Sequence, residues 1–247
     1  MEGACQAVDV LNVNLEENII YESGAEYSTK ASARACGTLA GAPWAPMLPA
    51  PLGAEGPCNV WNYAPGAIPP QPAHQPAATG GVTITAPTGT LLLPSMAADC
   101  STATPAFDFF AQSGAVTVDG DGTGHFPAFH VEVTPPLPLD LTSTPLVRGQ
   151  PLTLTWQASS STGLAINIYT IPLESSAGTA PWIRCDAPDT GSLTISAALT
   201  SLLDPGGTDA NIFGSRSVRV VQAPASSPVM IYASLMRKNQ LLLDYTP

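Results

Sequence analysis

The chain has 247 residues, with 8 Lys and Arg against 19 Asp and Glu, a net charge of −11 and a pI near 4.4. No Lys or Arg lies between Ala35 and Val147, so that segment offers no surface to track phosphates, and the acidic balance argues against nucleic-acid binding. Hydrophobic residues are 45% of the chain, enough for a packed core, while 26 Pro and 21 Gly argue for many turns and against long helices.

In chain order, Leu11, Val13 and Leu15 alternate with Asn12 and Asn14 at strand period. Leu11, Leu15 and Ile19 also fit helix spacing, so the pattern is open between the two. Prolines 43, 46, 49, 51 and 57 make a loop, and a second runs from Pro65 to Gly81. Thereafter the period is two. Val82 and Ile84 alternate with Thr83 and Thr85, Leu91 and Leu93 follow, then Phe107 and Phe109. Val116 and Val118 lead into Asp119-Gly120-Asp121-Gly122, a turn signal, and His130–Thr134 reads as the return strand.

Thr134-Pro135-Pro136-Leu137-Pro138 is a stiff linker. Beyond it Leu152, Leu154 and Trp156 line one face, and Ile166 and Ile168 repeat the pattern with Asn167 and Tyr169 opposite. Trp182, Ile183 and Cys185 precede a turn at Asp189-Thr190-Gly191. One helical turn is expected, with Ser196 as N-cap and Ile195, Leu199, Leu202 and Leu203 at helix spacing. A terminal hairpin is expected to turn at Arg237-Lys238-Asn239-Gln240. Short strands at regular spacing, with no crossover helix between them, indicate an all-β fold of two β-sandwich regions with at most one or two short helices. The organisation expected is an N-terminal segment and Pro-rich loop over 1–57, a β-rich region over 58–137, and a sandwich over 138–247.

The five cysteines, Cys5, Cys36, Cys58, Cys100 and Cys185, include no C-x-x-C pair, so zinc-ribbon and thioredoxin-type sites have no local support. Cys36, Cys58, Cys100 and Cys185 are candidates for disulfides in an exported protein, the alternative being buried small hydrophobes. Their connectivity is open. Gly3-Ala4-Cys5 resembles the small-small-Cys end of a bacterial lipoprotein signal, which makes Cys5 a candidate for lipidation. Glu2 stands where an aliphatic residue is usual, and no basic segment followed by an apolar run precedes it. The expected location is extracytoplasmic (outer-membrane lipoprotein, periplasmic or secreted), with the leader absent from this sequence.

The segment PLTLTW (Pro151–Trp156), followed by LAINIY (Leu164–Tyr169), resembles the start of bacterial immunoglobulin-like sandwich modules. In those an inward Trp closes an early core strand, the place Trp156 would take. Together with CNVWNY (Cys58–Tyr63), GGVTIT (Gly80–Thr85), Pro127–Trp156 and Ile183–Leu202, the chain is similar to uncharacterised secreted or lipoprotein-type proteins of myxobacterial kind. That resemblance covers residues 58–247. It implies an exported β-rich protein with an immunoglobulin-like C-terminal region, and it carries no functional residue.

Asp119 and Asp121 open a stretch like a calcium loop, but a calcium-binding helix–loop–helix would place Glu where His130 stands. A hairpin turn is the better account, and calcium is the one cofactor suggested. His74, His125 and His130 read as rim residues. There is no Gly-x-Ser-x-Gly and no His-Glu-x-x-His. Trp44, Trp61, Tyr63 and Trp182 lie beside prolines or in expected loops, where they either plug the sandwich ends or form a face for carbohydrate or peptide; Trp61, Tyr63 and Trp182 are the ligand-binding candidates. The function expected is an exported, non-catalytic cell-envelope module that binds cell-surface carbohydrate or protein, or serves structurally. The alternative is a cell-envelope hydrolase with a Ser/His/Asp-type site near His125 or His130.

Overall fold

The computed structural model describes residues 9–22, 25–38, 50–63, 76–95, 100–105, 114–123, 125–159, 163–172, 180–223 and 229–247. The strands are β1 (Asp9–Glu22), β2 (Ala25–Thr38), β3 (Gly53–Glu55), β4 (Cys58–Tyr63), β5 (Pro76–Ala77), β6 (Val82–Ala86), β7 (Gly89–Leu93), β8 (Ser101–Ala103) and β9 (Val116–Gly120). They continue as β10 (Phe129–Val133), β11 (Thr142–Ser143), β12 (Leu146–Val147), β13 (Leu152–Thr155), β14 (Gly163–Pro172), β15 (Ala180–Ala187) and β16 (Ser192–Ile195). A short helix α1 (Ala197–Thr200) precedes β17 (Gly207–Gln222) and β18 (Val229–Thr246). The all-β expectation is met. The ambiguous N-terminal segment is a strand, and α1 forms where the spacing placed it, with Ser196 Oγ accepting from the Leu199 N–H.

One large sheet runs β3-β4-β15-β14-β17-β18-β1-β2-β5, with β12 added to β18 and β8 to β2. Among the described residues two smaller sheets, β10-β9-β6-β7 and β11-β13-β16, accompany it. Period-two alternation in the strands supplies the inner faces. Leu11, Val13 and Leu15 of β1, Ala33 and Ala35 of β2, and Ile231 and Ala233 of β18 pack with Val82, Ile84, Val116, Val118, Phe129 and Val131 of the four-stranded sheet. A second core joins Val60, Leu164, Ile166, Ile168, Ile183, Ala210 and Ile212 to Leu152, Leu154, Trp156, Ile195 and Leu199. Both cores therefore use the same large sheet as their floor.

Strands β17 and β18 pass through both cores. Ala210 and Ile212 lie in the second, while Val218 and Val220, further along β17, pack on the first. β18 runs the other way, from Ile231 and Ala233 in the first core to Tyr245 in the second. The expected terminal hairpin is therefore a misreading: β18 is one continuous strand. Its polar quartet stays extended because Arg237–Gln240 pairs with Phe213–Arg216 of β17 on one side and Glu17–Ile20 of β1 on the other. Lys238 Nζ also donates to Glu16 Oε2 at 2.6 Å.

Between the two cores, residues 134–141 cross the inner face of β17. Gly214 makes room for them, since a Cβ there would stand 2.5 Å from Leu141 Cδ1 and 2.8 Å from Leu139 Cδ2. Two residues on, Arg216 is 0% exposed. Its Nη1 donates to the carbonyls of Leu137 (3.1 Å) and Pro138 (2.6 Å), and its Nη2 to the Gln157 carbonyl and to Asp189 Oδ1 (3.0 Å). Nε lies 2.9 Å from Asp189 Oδ2, completing a forked ion pair whose side chains are 0% and 4% exposed. Trp156 Nε1 donates to the same carboxylate at 2.8 Å. Burying two charges is costly unless their donors and acceptors are answered; Nη1 and Nη2 are both hydrogen-bonded, while Nε faces Asp189 Oδ2 at ion-pair distance without a hydrogen bond.

Two disulfides join the four candidate cysteines, Cys36 to Cys100 and Cys58 to Cys185, across sequence separations of 64 and 127. Closing loops of that length in the unfolded chain is worth about 4–5 kcal/mol each on the chain-entropy estimate. Cys5 lies outside the described residues.

Replacing Arg216 by Met strands the Asp189 carboxylate in the interior, and Asp189→Asn strands the guanidinium. Each is expected to lower stability by about 3–5 kcal/mol in urea unfolding, far more than a surface charge change. A loss under 1 kcal/mol for both would contradict the buried pair. Tyr245 gives a contrasting case. Its hydroxyl is buried with no hydrogen-bond partner among the described residues, and burial raises the phenol above its ordinary 10.0, with Arg148 opposing and Asp204 adding. A raised folded pKa contributes stability that is intact below the unfolded value and lost as pH climbs through the folded one. Wild-type stability is therefore expected to fall above pH 10.0 more steeply than that of Tyr245→Phe, and at neutral pH the variant should differ by less than about 1 kcal/mol.

Candidate functional site

With Val60, Ile183, Ile166, Ile168 and Ile212 turned into the second core, the residues between them on β4, β15, β14 and β17 face outward. The register sets Trp61 opposite Trp182, Trp182 opposite Tyr169, and Tyr169 opposite Asn211. The adjacent row holds Asn59, Arg184, Asn167, Phe213 and Gln240. Trp61 and Trp182 have ring centroids 5.3 Å apart at a tilt of 34°, and Tyr169 stacks on Trp182 at 5.4 Å and 3°. Phe213, diagonal to Tyr169 in the adjacent row, meets it edge-on at 5.8 Å and 79°, and is 37% exposed. Four aromatic rings thus form a continuous line across four adjacent strands.

Polar groups border the line. Arg184 makes a forked pair with Asp186, Nε to Oδ2 at 3.1 Å and Nη2 to Oδ1 at 3.0 Å, both side chains exposed. Gln240 Nε2 donates to Asn211 Oδ1 at 2.8 Å, while Asn59 and Asn167 are half-buried on the same face. The surface combines flat apolar rings with neutral amide donors and acceptors, and its one described cation beside the rings is already matched by a carboxylate.

The sequence candidates fall in this way. Trp61 and Trp182 lie in paired strands, facing each other, and not in loops. Tyr63 ends β4 two residues from Trp61, with its side chain outside the described residues; Trp44 and His74 lie outside them altogether. Tyr169, placed by its sequence pattern on the outward face, and Phe213, which carries no motif, complete the row. What could have flagged both is their phase, since each alternates with residues of a buried strand.

Asp119 and His130 oppose each other on β9 and β10, with Nδ1 2.6 Å from Oδ1 and side chains 47% and 63% exposed. Asp121 lies exposed just beyond β9. Thr123 organises the turn, its Oγ1 accepting from the backbone N–H groups of His125 and Phe126 and donating to the Ala78 carbonyl. Among the described residues no three of His, Cys, Asp and Glu come together to hold a metal ion, and Asp119 faces His130 rather than a shared site with Asp121. The His130–Asp119 pair is an oriented imidazole on an open sheet face, and no hydroxyl among the described residues is hydrogen-bonded to its other nitrogen.

No known protein family matches the chain, and no curated protein does. Two solved structures titled as cytokine receptor complexes are similar at 16% identity and a TM-score of 0.23; the match covers 59% of this chain and 77% of the first, and 58% and 84% for the second. Likeness that slight carries no argument about role. No described helix is long and apolar enough to cross a membrane.

Trp182 touches both of its ring neighbours, so Trp182→Ala is expected to remove the near-ultraviolet circular dichroism of the coupled rings and to cost about 1–3 kcal/mol of stability. Phe213→Ala, at the end of the row, should leave most of that signal. An unchanged spectrum in Trp182→Ala would mean the rings are not in contact in solution.

Proposed function

We propose that the protein is an exported, non-catalytic binding module of the cell envelope, and that the aromatic row on the outer face of its large sheet engages a neutral glycan. The observation that carries this is the line of Trp61, Trp182, Tyr169 and Phe213 bordered by Asn59, Asn167, Asn211, Gln240 and the Arg184–Asp186 pair. A sugar ring offers apolar C–H edges beside hydroxyls that both donate and accept, so it needs aromatic surface next to neutral amides. The net charge of −11 disfavours an anionic ligand. Two disulfides suit an oxidising compartment outside the cytoplasm. The buried Trp156 following β13 supports an immunoglobulin-like reading of the region that packs on the second core.

One observation favours a second reading, a hydrolase: the 2.6 Å His130–Asp119 contact supplies an oriented base. The two are separable in one experiment. The purified protein is titrated with neutral oligosaccharides while tryptophan fluorescence is followed, and incubated in parallel with ester and peptide substrates. Saturable quenching that weakens at least tenfold in Trp182→Ala supports binding at the row, a loss of about 1.4 kcal/mol or more. Turnover that disappears in His130→Ala would sink the binding-only reading, and peptide binding with no glycan binding would sink the glycan assignment.

A further inference from the structure

We infer that the Cys36–Cys100 disulfide is a thiol–disulfide exchange site, opened by a dithiol reductant that attacks Cys36 and expels Cys100 as the leaving thiolate. The two disulfides differ in the properties exchange depends on. Cys58 and Cys185 are 2% and 0% exposed and sit inside the second core, where no thiolate can reach the bond along its axis. Cys36 and Cys100 are both half-buried at the edge of the large sheet. Arg34 stands two residues before Cys36 and therefore on the same face of β2, and its exposed guanidinium donates from Nη2 to Cys100 Sγ at 3.0 Å.

That contact breaks the symmetry of the bond. Departing sulfur takes the electron pair of the S–S bond, and a cation beside it stabilises the negative charge it acquires, which makes it leave faster. The reductant's thiolate bonds to Cys36 Sγ as the Cys36–Cys100 bond breaks, and Cys100 departs as a thiolate facing Arg34. A second thiol of the reductant then attacks the reductant's own sulfur in the mixed disulfide and releases Cys36. Two electrons and two protons pass to the protein, and the reductant leaves as a disulfide. The structural consequence is local. β8 pairs with β2 only through Ala33–Ala103, Arg34–Thr102 and Ala35–Ser101, so opening the bond leaves a very short strand to hold itself, and its release frees that edge of the sheet.

The test is graded reduction of the folded, full-length protein by dithiothreitol, followed by differential alkylation and peptide mass spectrometry. Cys36 and Cys100 should be labelled while Cys58 and Cys185 remain joined and the far-ultraviolet circular dichroism stays native. Arg34→Gln should slow that opening roughly three- to tenfold, and Arg34→Lys should restore part of the rate. With glutathione, a monothiol, the trapped adduct should fall on Cys36. Simultaneous reduction of both bonds, opening only on unfolding, an unchanged rate in Arg34→Gln, or an adduct on Cys100 would each overturn the proposal. Arg34 is exposed, and comparing the denaturation midpoints of its variants separates a rate effect from a loss of fold.

Discussion

The structure depends on how one buried charge pair holds a crossing. A large sheet that floors two cores must let the chain pass from one small sheet to the other, and the passage runs over the inner face of β17, where an apolar residue would otherwise pack. Residues 134–141 bring unpaired backbone carbonyls into that interior, and such groups are expensive to leave unanswered. Arg216 answers Leu137, Pro138 and Gln157 together. Asp189 balances the charge and orients the guanidinium, and Trp156 donates to the same Asp189 oxygen that Nη2 contacts. A hydrophobic residue at 216 would fill the volume and leave three carbonyls without donors. Here the ion pair is a device for satisfying backbone, and its stabilising value follows from that role more than from charge attraction alone.

The same crossing explains why β17 and β18 are so long. Two sandwiches could have been built on separate sheets, with a flexible hinge between them. Continuous strands instead carry the backbone ladder from one core into the other, so the pair shares register over its whole length. β1 extends the arrangement, since its parallel pairing with β18 begins in the first core and continues through Arg237–Gln240. Gly214 supplies the gap: a Cβ there would force the ends of the Leu139 and Leu141 side chains to shift away from β17.

Much of the strand pattern was legible because half-buried strands announce themselves by period two. Val82–Thr85, Val116–Val118, Leu152–Leu154 and Ile166–Ile168 all lie in strands with the phase that their sequence displays, and the cap at Ser196 is chemically specific. The failures have physical causes. Arg237-Lys238-Asn239-Gln240 looks like a turn because polarity is a local cue, whereas its extended state is imposed by neighbours distant in sequence. Trp61 and Trp182 sit next to residues that suggest loops, yet a cross-strand disulfide three residues away on each strand fixes them in register. Arg216 carries no motif, yet in Ala210, Ile212, Gly214, Arg216, Val218 and Val220 it occupies an inward position in an apolar phase, which is the signal that marks it as buried.

The scarcity of basic residues gains meaning once their partners are known. Arg216 is enclosed with Asp189, Arg184 is forked onto Asp186, and Lys238 is held by Glu16. Arg148 donates to the Leu203 carbonyl and Arg34 to a disulfide sulfur. The cations described in this way serve internal contacts, leaving an acidic exterior. A surface of that kind repels anions. On the proposed reading, recognition at the outer face of the large sheet rests on ring surface and amide hydrogen bonding, the two interactions least affected by net charge. Under that proposal the ligand is uncharged, polar at its edges and flat enough to meet a row of rings.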